Sequence, residues 1–165
     1  EWAEVGLHPS MASNSSDKAL KMEFARLAKT TGKKVDTSRQ HFLYLDLPNT
    51  YRRLIDKGIE VDFTMGFADH VGFRAGTSHP FPWYDLKEEK MTSMFLMPLS
   101  LMDASLQDYM GLSPDEALVE VQRIKEEVKA VNGTFVSLWH NDSVTDHGTW
   151  QGWKKVFLEC LAPTD

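Results

Sequence analysis

Ser113-Pro114-Asp115-Glu116 narrows the fold most, because it starts a helix whose end and successor are equally well marked. Serine at the N-cap, proline at the first helical position and glutamate three residues on form a capping box. Ala117, Val121, Ile124, Val128 and Val131 then fall four, three, four and three apart, a stripe along one helix face. Asn132-Gly133 stops the helix, and residues 134–139 are rich in the β-branched and aromatic side chains that suit a strand. A helix delivering directly into a strand is half of a βαβ unit, so the pattern predicts an α/β fold with parallel strands.

The same alternation continues on both sides. Helices are expected at 16–31, 49–57, 114–131 and 150–161, with the polar cluster Ser13-Asn14-Ser15-Ser16-Asp17 supplying N-cap candidates for the first and Gly32 and Gly58 closing the first two. Strands are expected at 5–7, at 35–38 or 41–45, and at 59–63, 94–98 and 134–139. The stretch 64–85, dense in glycine, histidine, proline and aromatic residues without a clear period, reads as one long loop.

At 165 residues the chain is expected to be one domain, 1–165. Its net charge of −6 argues against a nucleic-acid backbone or an anionic membrane as main partner, since both attract basic faces. The single cysteine, Cys160, excludes an intramolecular disulfide and a cysteine-based zinc site. No apolar run approaches the ~20 residues of a membrane span, and no signal segment is seen, so a cytoplasmic location is the expectation. The sequence reaches Val5-Gly6-Leu7-His8 almost at once, which reads as the end of a buried strand. An upstream segment, a partner chain or a homo-oligomer is therefore expected to cover that strand's open edge.

In α/β folds ligands collect at the carboxyl ends of the strands. His8 follows 5–7, His140-Asn141-Asp142 follows 134–139, and Arg39 and His41 flank the start of an apolar run. Histidines brought to one face suit a metal or an acid/base pair. Taken singly, His8 is equally well explained by a hydrogen bond to a backbone carbonyl, and Arg39 by an ion pair.

Taken together, the blocks Gly6-Leu7-His8-Pro9-Ser10, Ser38-Arg39-Gln40-His41-Phe42-Leu43, Gly72-Phe73-Arg74-Ala75-Gly76-Thr77 and Ser137-Leu138-Trp139-His140-Asn141 occur in a telling order. The chain resembles polysaccharide-deacetylase-like proteins of the NodB-homology group, carbohydrate esterase family four, and in particular a divergent bacterial branch. The resemblance implies a distorted (β/α) barrel, incomplete here at its N-terminus. It also implies metal-assisted removal of acetyl groups from a carbohydrate, with a divalent metal, usually zinc, held by one aspartate and two histidines.

Residue by residue the match is partial. His8 stands where the family's first metal histidine does, but Ala12 occupies the place of the second. His41 is our candidate for the missing ligand, outside the family's pattern. Arg39 falls near the arginine that orients the catalytic aspartate, and Asp62 is the acid nearest the family's aspartate-tryptophan motif. His140 matches the late histidine that protonates the leaving group. Arg74 between glycines is read as a substrate contact, and Trp83 as a sugar-stacking ring or simple loop packing. The family's opening aspartate pair is absent from this sequence. The competing expectation is a non-catalytic carbohydrate-binding domain that has lost the metal site.

Overall fold

The computed structural model describes residues 3–163, which group into two compact units. Of these, the first comprises 3–65 and 80–97, and the second 66–79 and 98–163. Both mix helices with sheet, so the α/β class holds.

In the first unit a four-stranded sheet has the order β1-β2-β4-β3, where β1 is Thr37–Ser38, β2 Val61–Asp62, β3 Phe81–Asp85 and β4 Lys90–Leu96. The pairs β1–β2 and β2–β4 are parallel, with Ser38 beside Asp62 and Asp62 beside Leu96. Leu7 adds one parallel bridge to Ser38 at the far side of β1. Gly6 makes that approach possible, because a Cβ there would lie 2.4 Å from Thr37 Oγ1.

Two helices cover this sheet. In α1, Asp17–Thr31, the Ser16 hydroxyl accepts the Ala19 N–H at 3.2 Å, and Gly32 ends the helix in the left-handed conformation with φ 65°. The second helix, α2, spans Asn49–Asp56. Leu20 of α1 and Tyr51 and Leu54 of α2 pack with Trp83, Met94 and Leu96 of the hairpin to form the core. Tyr51, Leu54, Met94 and Leu96 are each no more than 1% exposed, and burying one such side chain contributes about 1.5–3 kcal/mol.

The second unit pairs β5, Leu101–Met102, in parallel with β6, Ser137–Leu138. Helices α3, Pro114–Ala130, and α4, Lys154–Leu161, flank this ladder. The expected capping box is present, with Ser113 and Glu116 bonded to each other's backbone N–H groups. The apolar stripe buries as far as Val128, with Ala117 and Val121 against Leu101, Leu106, Trp153 and Val156, while Val131 at the helix end is exposed. Lys125, only 5% exposed, donates its ammonium to the carbonyls of Glu159 and Ala162 and so caps the end of α4.

The structure departs from expectation in three places. Part of the anticipated 64–85 loop is β3, antiparallel to β4. Its inward Trp83 and Asp85 alternate with outward Tyr84, a period of two that the neighbouring proline, glycine and histidine residues obscured. Of the two alternatives for the second strand, 35–38 is the one that pairs, at Thr37–Ser38, while His41–Leu43 form a 3-10 turn, because Phe42 and Leu43 both take left-handed backbone conformations. Strands β1, β2, β5 and β6 are two residues long where longer ones were expected, and the two sheets close into no barrel among the described residues.

Candidate functional site

In the first unit the Leu7 bridge delivers His8 to the end of β1. The Leu7 N–H donates to the Thr37 carbonyl at 2.9 Å, and the Arg39 N–H donates back to the Leu7 carbonyl at 3.0 Å. His8 Nδ1 then lies 2.8 Å from the Arg39 carbonyl oxygen. A carbonyl only accepts, so Nδ1 carries the proton, and in the neutral ring Nε2 keeps its lone pair. That Nε2 faces His41 Nδ1 at 3.0 Å, with the two rings edge to face.

Phe42 packs edge-on against His41 at 4.3 Å between ring centres, and is itself 70% exposed. It and Leu43, at φ 57° and 52°, hold consecutive left-handed conformations. Each costs a side-chain-bearing residue roughly 1–2 kcal/mol, and such strain concentrates at functional sites.

The histidine pair lines a cleft of about 660 Å³ shared with Leu7, Ser10, Glu23 and Arg26. Glu23 fixes the far wall by accepting both the N–H and the hydroxyl of Ser10, at 3.0 and 2.5 Å.

Two nitrogens held at ~2.0–2.1 Å by a tetrahedral zinc stand roughly 3.3 Å apart, so this pair is spaced much as two ligands would be. Glu23, the carboxylate of the same cleft, is bonded to Ser10. Among the described residues no group of three or more His, Cys, Asp or Glu is placed to hold a metal. Asp62, the in-chain candidate for a carboxylate ligand, is fully buried and committed elsewhere. It accepts the Ser38 hydroxyl at 2.6 Å and the Thr64 N–H and hydroxyl at 2.9 Å each. Burial raises its pKa, while those hydrogen bonds and the charge of Arg39 pull the other way.

Arg39 is half-buried, with its guanidinium 5.7 Å above the Phe63 ring and its Nε donating to the Phe63 carbonyl at 3.4 Å. Desolvation lowers its pKa and the carboxylate of Asp62 opposes the shift. Trp83 is 8% exposed and meets Tyr51 edge-on at 5.4 Å, so its ring serves packing and offers no open stacking face.

In the second unit the register of β5 and β6 aligns Met102 with Leu138, which places Asp103 and His140 just beyond the same strand ends. Asp103 is fully buried. Its Oδ1 accepts the Ala104 N–H at 2.7 Å and His140 Nδ1 at 2.8 Å. Its Oδ2 accepts the His140 N–H at 2.6 Å and the Ser143 hydroxyl. The carboxylate therefore grips both the backbone and the ring of one residue. His140's side chain remains 51% exposed, with Nε2 left as the working nitrogen. A buried carboxylate behind a half-exposed imidazole suits proton transfer, because it orients the ring.

Arg74 also belongs to this unit, exposed on a turn closed by a Gly76 N–H to Phe73 carbonyl bond of 2.9 Å. Of the four residues expected to share one cleft, His8, Arg39 and His41 lie together in the first unit and His140 belongs to the second. Sequence reasoning passed over Asp103 and Ser143. The signal for Asp103 was an acid closing the apolar run Leu99-Ser100-Leu101-Met102, masked by Pro98 and Ser100.

Comparison with protein-family models, with curated proteins and with solved structures finds no match. Among the described residues no helix is long and apolar enough to cross a membrane.

Proposed function

We propose that this chain is a carbohydrate-deacetylase-like hydrolase, built on the distorted (β/α) barrel plan of the NodB-homology group, that removes acetyl groups from a sugar or polysaccharide. The observation that carries the reading is the His8–His41 pair, two ring nitrogens facing each other at 3.0 Å on the wall of a cleft. In this reading His8 and His41 hold a divalent metal, zinc first among them. When bound, the metal polarises the acetyl carbonyl and activates water.

The chain's own residues supply the rest. The Arg39 carbonyl keeps His8 Nε2 available as a donor atom. In the second unit His140, oriented by Asp103, is the group suited to proton transfer.

Acetate release from acetylated oligosaccharides, measured on the full-length protein with Zn²⁺ and after chelation, tests the reading. Zinc-dependent release, lost in His8→Ala with its metal and lost in His140→Ala with metal content intact, is the expected result. Saturable oligosaccharide binding without acetate release at any metal supplied overturns it in favour of a non-catalytic carbohydrate-binding domain.

A further inference from the structure

Four polar residues behind the His8–His41 pair, Ser38, Gln40, Asp62 and Thr64, are each 3% exposed or less. Their hydrogen bonds run in one direction. The Gln40 N–H donates to Thr64 Oγ1 at 3.0 Å. The Thr64 hydroxyl donates onward to Asp62 Oδ2 at 2.9 Å, where the Ser38 hydroxyl also arrives at 2.6 Å. The Gln40 N–H and the Arg39 carbonyl belong to the same peptide group, and that carbonyl is the one that accepts His8 Nδ1–H at 2.8 Å. From the imidazole to the buried carboxylate, every link therefore donates the same way.

Aligned hydrogen bonds in a low-dielectric interior polarise one another. An N–H held by a hydroxyl that itself donates to a carboxylate leaves its own peptide oxygen a stronger acceptor, and the charged end of the chain is the stronger anchor. Histidines that bind metals commonly donate their second ring N–H to a carboxylate or a carbonyl, which fixes the tautomer and raises the basicity of the ligating nitrogen. Here the carboxylate reaches the ring through a hydroxyl and a peptide.

We propose that Asp62 and Thr64 are positioning residues that act through the Arg39–Gln40 peptide to hold His8 in its Nδ1–H tautomer, with Nε2 presented towards His41. The consequence for metal affinity rests on the function proposed above, and the tautomer does not.

The test is ¹⁵N NMR of the histidine rings in the full-length, metal-free protein at a pH where His8 is neutral, followed by titration with Zn²⁺ alone. Wild type is expected to show His8 protonated at Nδ1 and bare at Nε2, and a wild-type ring carrying Nε2–H overturns the proposal at once. Thr64→Val, which removes the relay hydroxyl at similar volume, should raise the Nε2–H share several-fold, and Thr64→Ser should restore the wild-type ring. Zn²⁺ affinity should fall about 10–100-fold in Thr64→Val. A Thr64→Val protein with native amide spectra and an unchanged His8 tautomer overturns the relay. If that variant does not fold, Asp62→Asn is read at the same ring, and an unchanged tautomer there is equally fatal. A wild-type ring pinned at Nδ1–H in a protein that binds no Zn²⁺ supports the relay and removes the metal reading.

Discussion

His8 and His140 both follow a short parallel pairing, and both donate Nδ1–H inward, but to different kinds of acceptor. His8 meets a neutral carbonyl, that of Arg39, and His140 meets the buried carboxylate of Asp103. A carbonyl selects a tautomer and adds little preference for the charged ring, which leaves Nε2 a lone-pair donor suited to a metal. A carboxylate that holds both the ring and the backbone N–H of its histidine fixes the ring's orientation as well, which suits a ring that hands on a proton. What stands behind each ring, rather than in front of it, therefore separates the two histidines.

The sharpest way to break this comparison is to remove the carboxylate. Asp103→Asn should lower turnover about 10²–10⁴-fold, the span attributed to a positioned acid or base, and leave Zn²⁺ affinity unchanged. Steady-state acetate release and a metal titration on one preparation check it, and a parallel loss of metal would mean the two histidines are not separable.

Next in size is a comparison of the two cores. Leu54→Ala, in the first, should cost about 2–5 kcal/mol in urea unfolding, because Tyr51, Trp83 and Met94 cannot collapse onto the space left. The Trp83 signal should follow that loss. If Trp150 and Trp153 of the second unit report the same transition with the same shift, the two cores unfold as one.

Smaller still, Ser113→Ala breaks a two-way capping box and Ser16→Ala a single hydroxyl cap. Each should cost about 0.5–2 kcal/mol, with the larger loss at Ser113. Equal losses would show that the reciprocal Glu116 bond adds nothing.

The mildest effect is a pH dependence confined to the first unit. Arg52 donates twice to Asp85, at 2.6 and 2.7 Å, and holds that carboxyl at about 2 against an ordinary 3.8. A lowered carboxyl pKa stabilises the fold above the ordinary value, and that contribution fades as pH falls from about 4 through about 2. Arg52→Gln should flatten the acid limb of stability in this window, and an unchanged limb would show that the pair contributes nothing.

What the sequence made legible followed from how local each signal is. The α1 and α3 boundaries are written in single residues, Ser16 and Gly32 for one and Ser113-Pro114 for the other, and they appear within a residue or so of expectation. Strands 59–63 and 134–139 were placed correctly but shorten to two paired residues, since pairing depends on a neighbour that no local pattern specifies. The hairpin of β3 and β4 was hidden because Pro82 and the glycine- and histidine-rich residues before it imitate a loop. At the sites, strand-end logic pointed to His8, Arg39, His41 and His140. It could not reach Asp103 or Thr64, whose partners lie 37 and 24 residues away in sequence.

Phe42 and Leu43, the two left-handed residues beside His41, set stability and retention against each other. A library randomised at both positions and selected only for resistance to heat or protease should drift to glycine, which adopts that backbone without strain. The same library selected for turnover should keep a side chain wherever the ring beside His41 has work to do. The difference between the two winning populations separates what the backbone tolerates from what the chemistry requires, without any ligand having to be known beforehand.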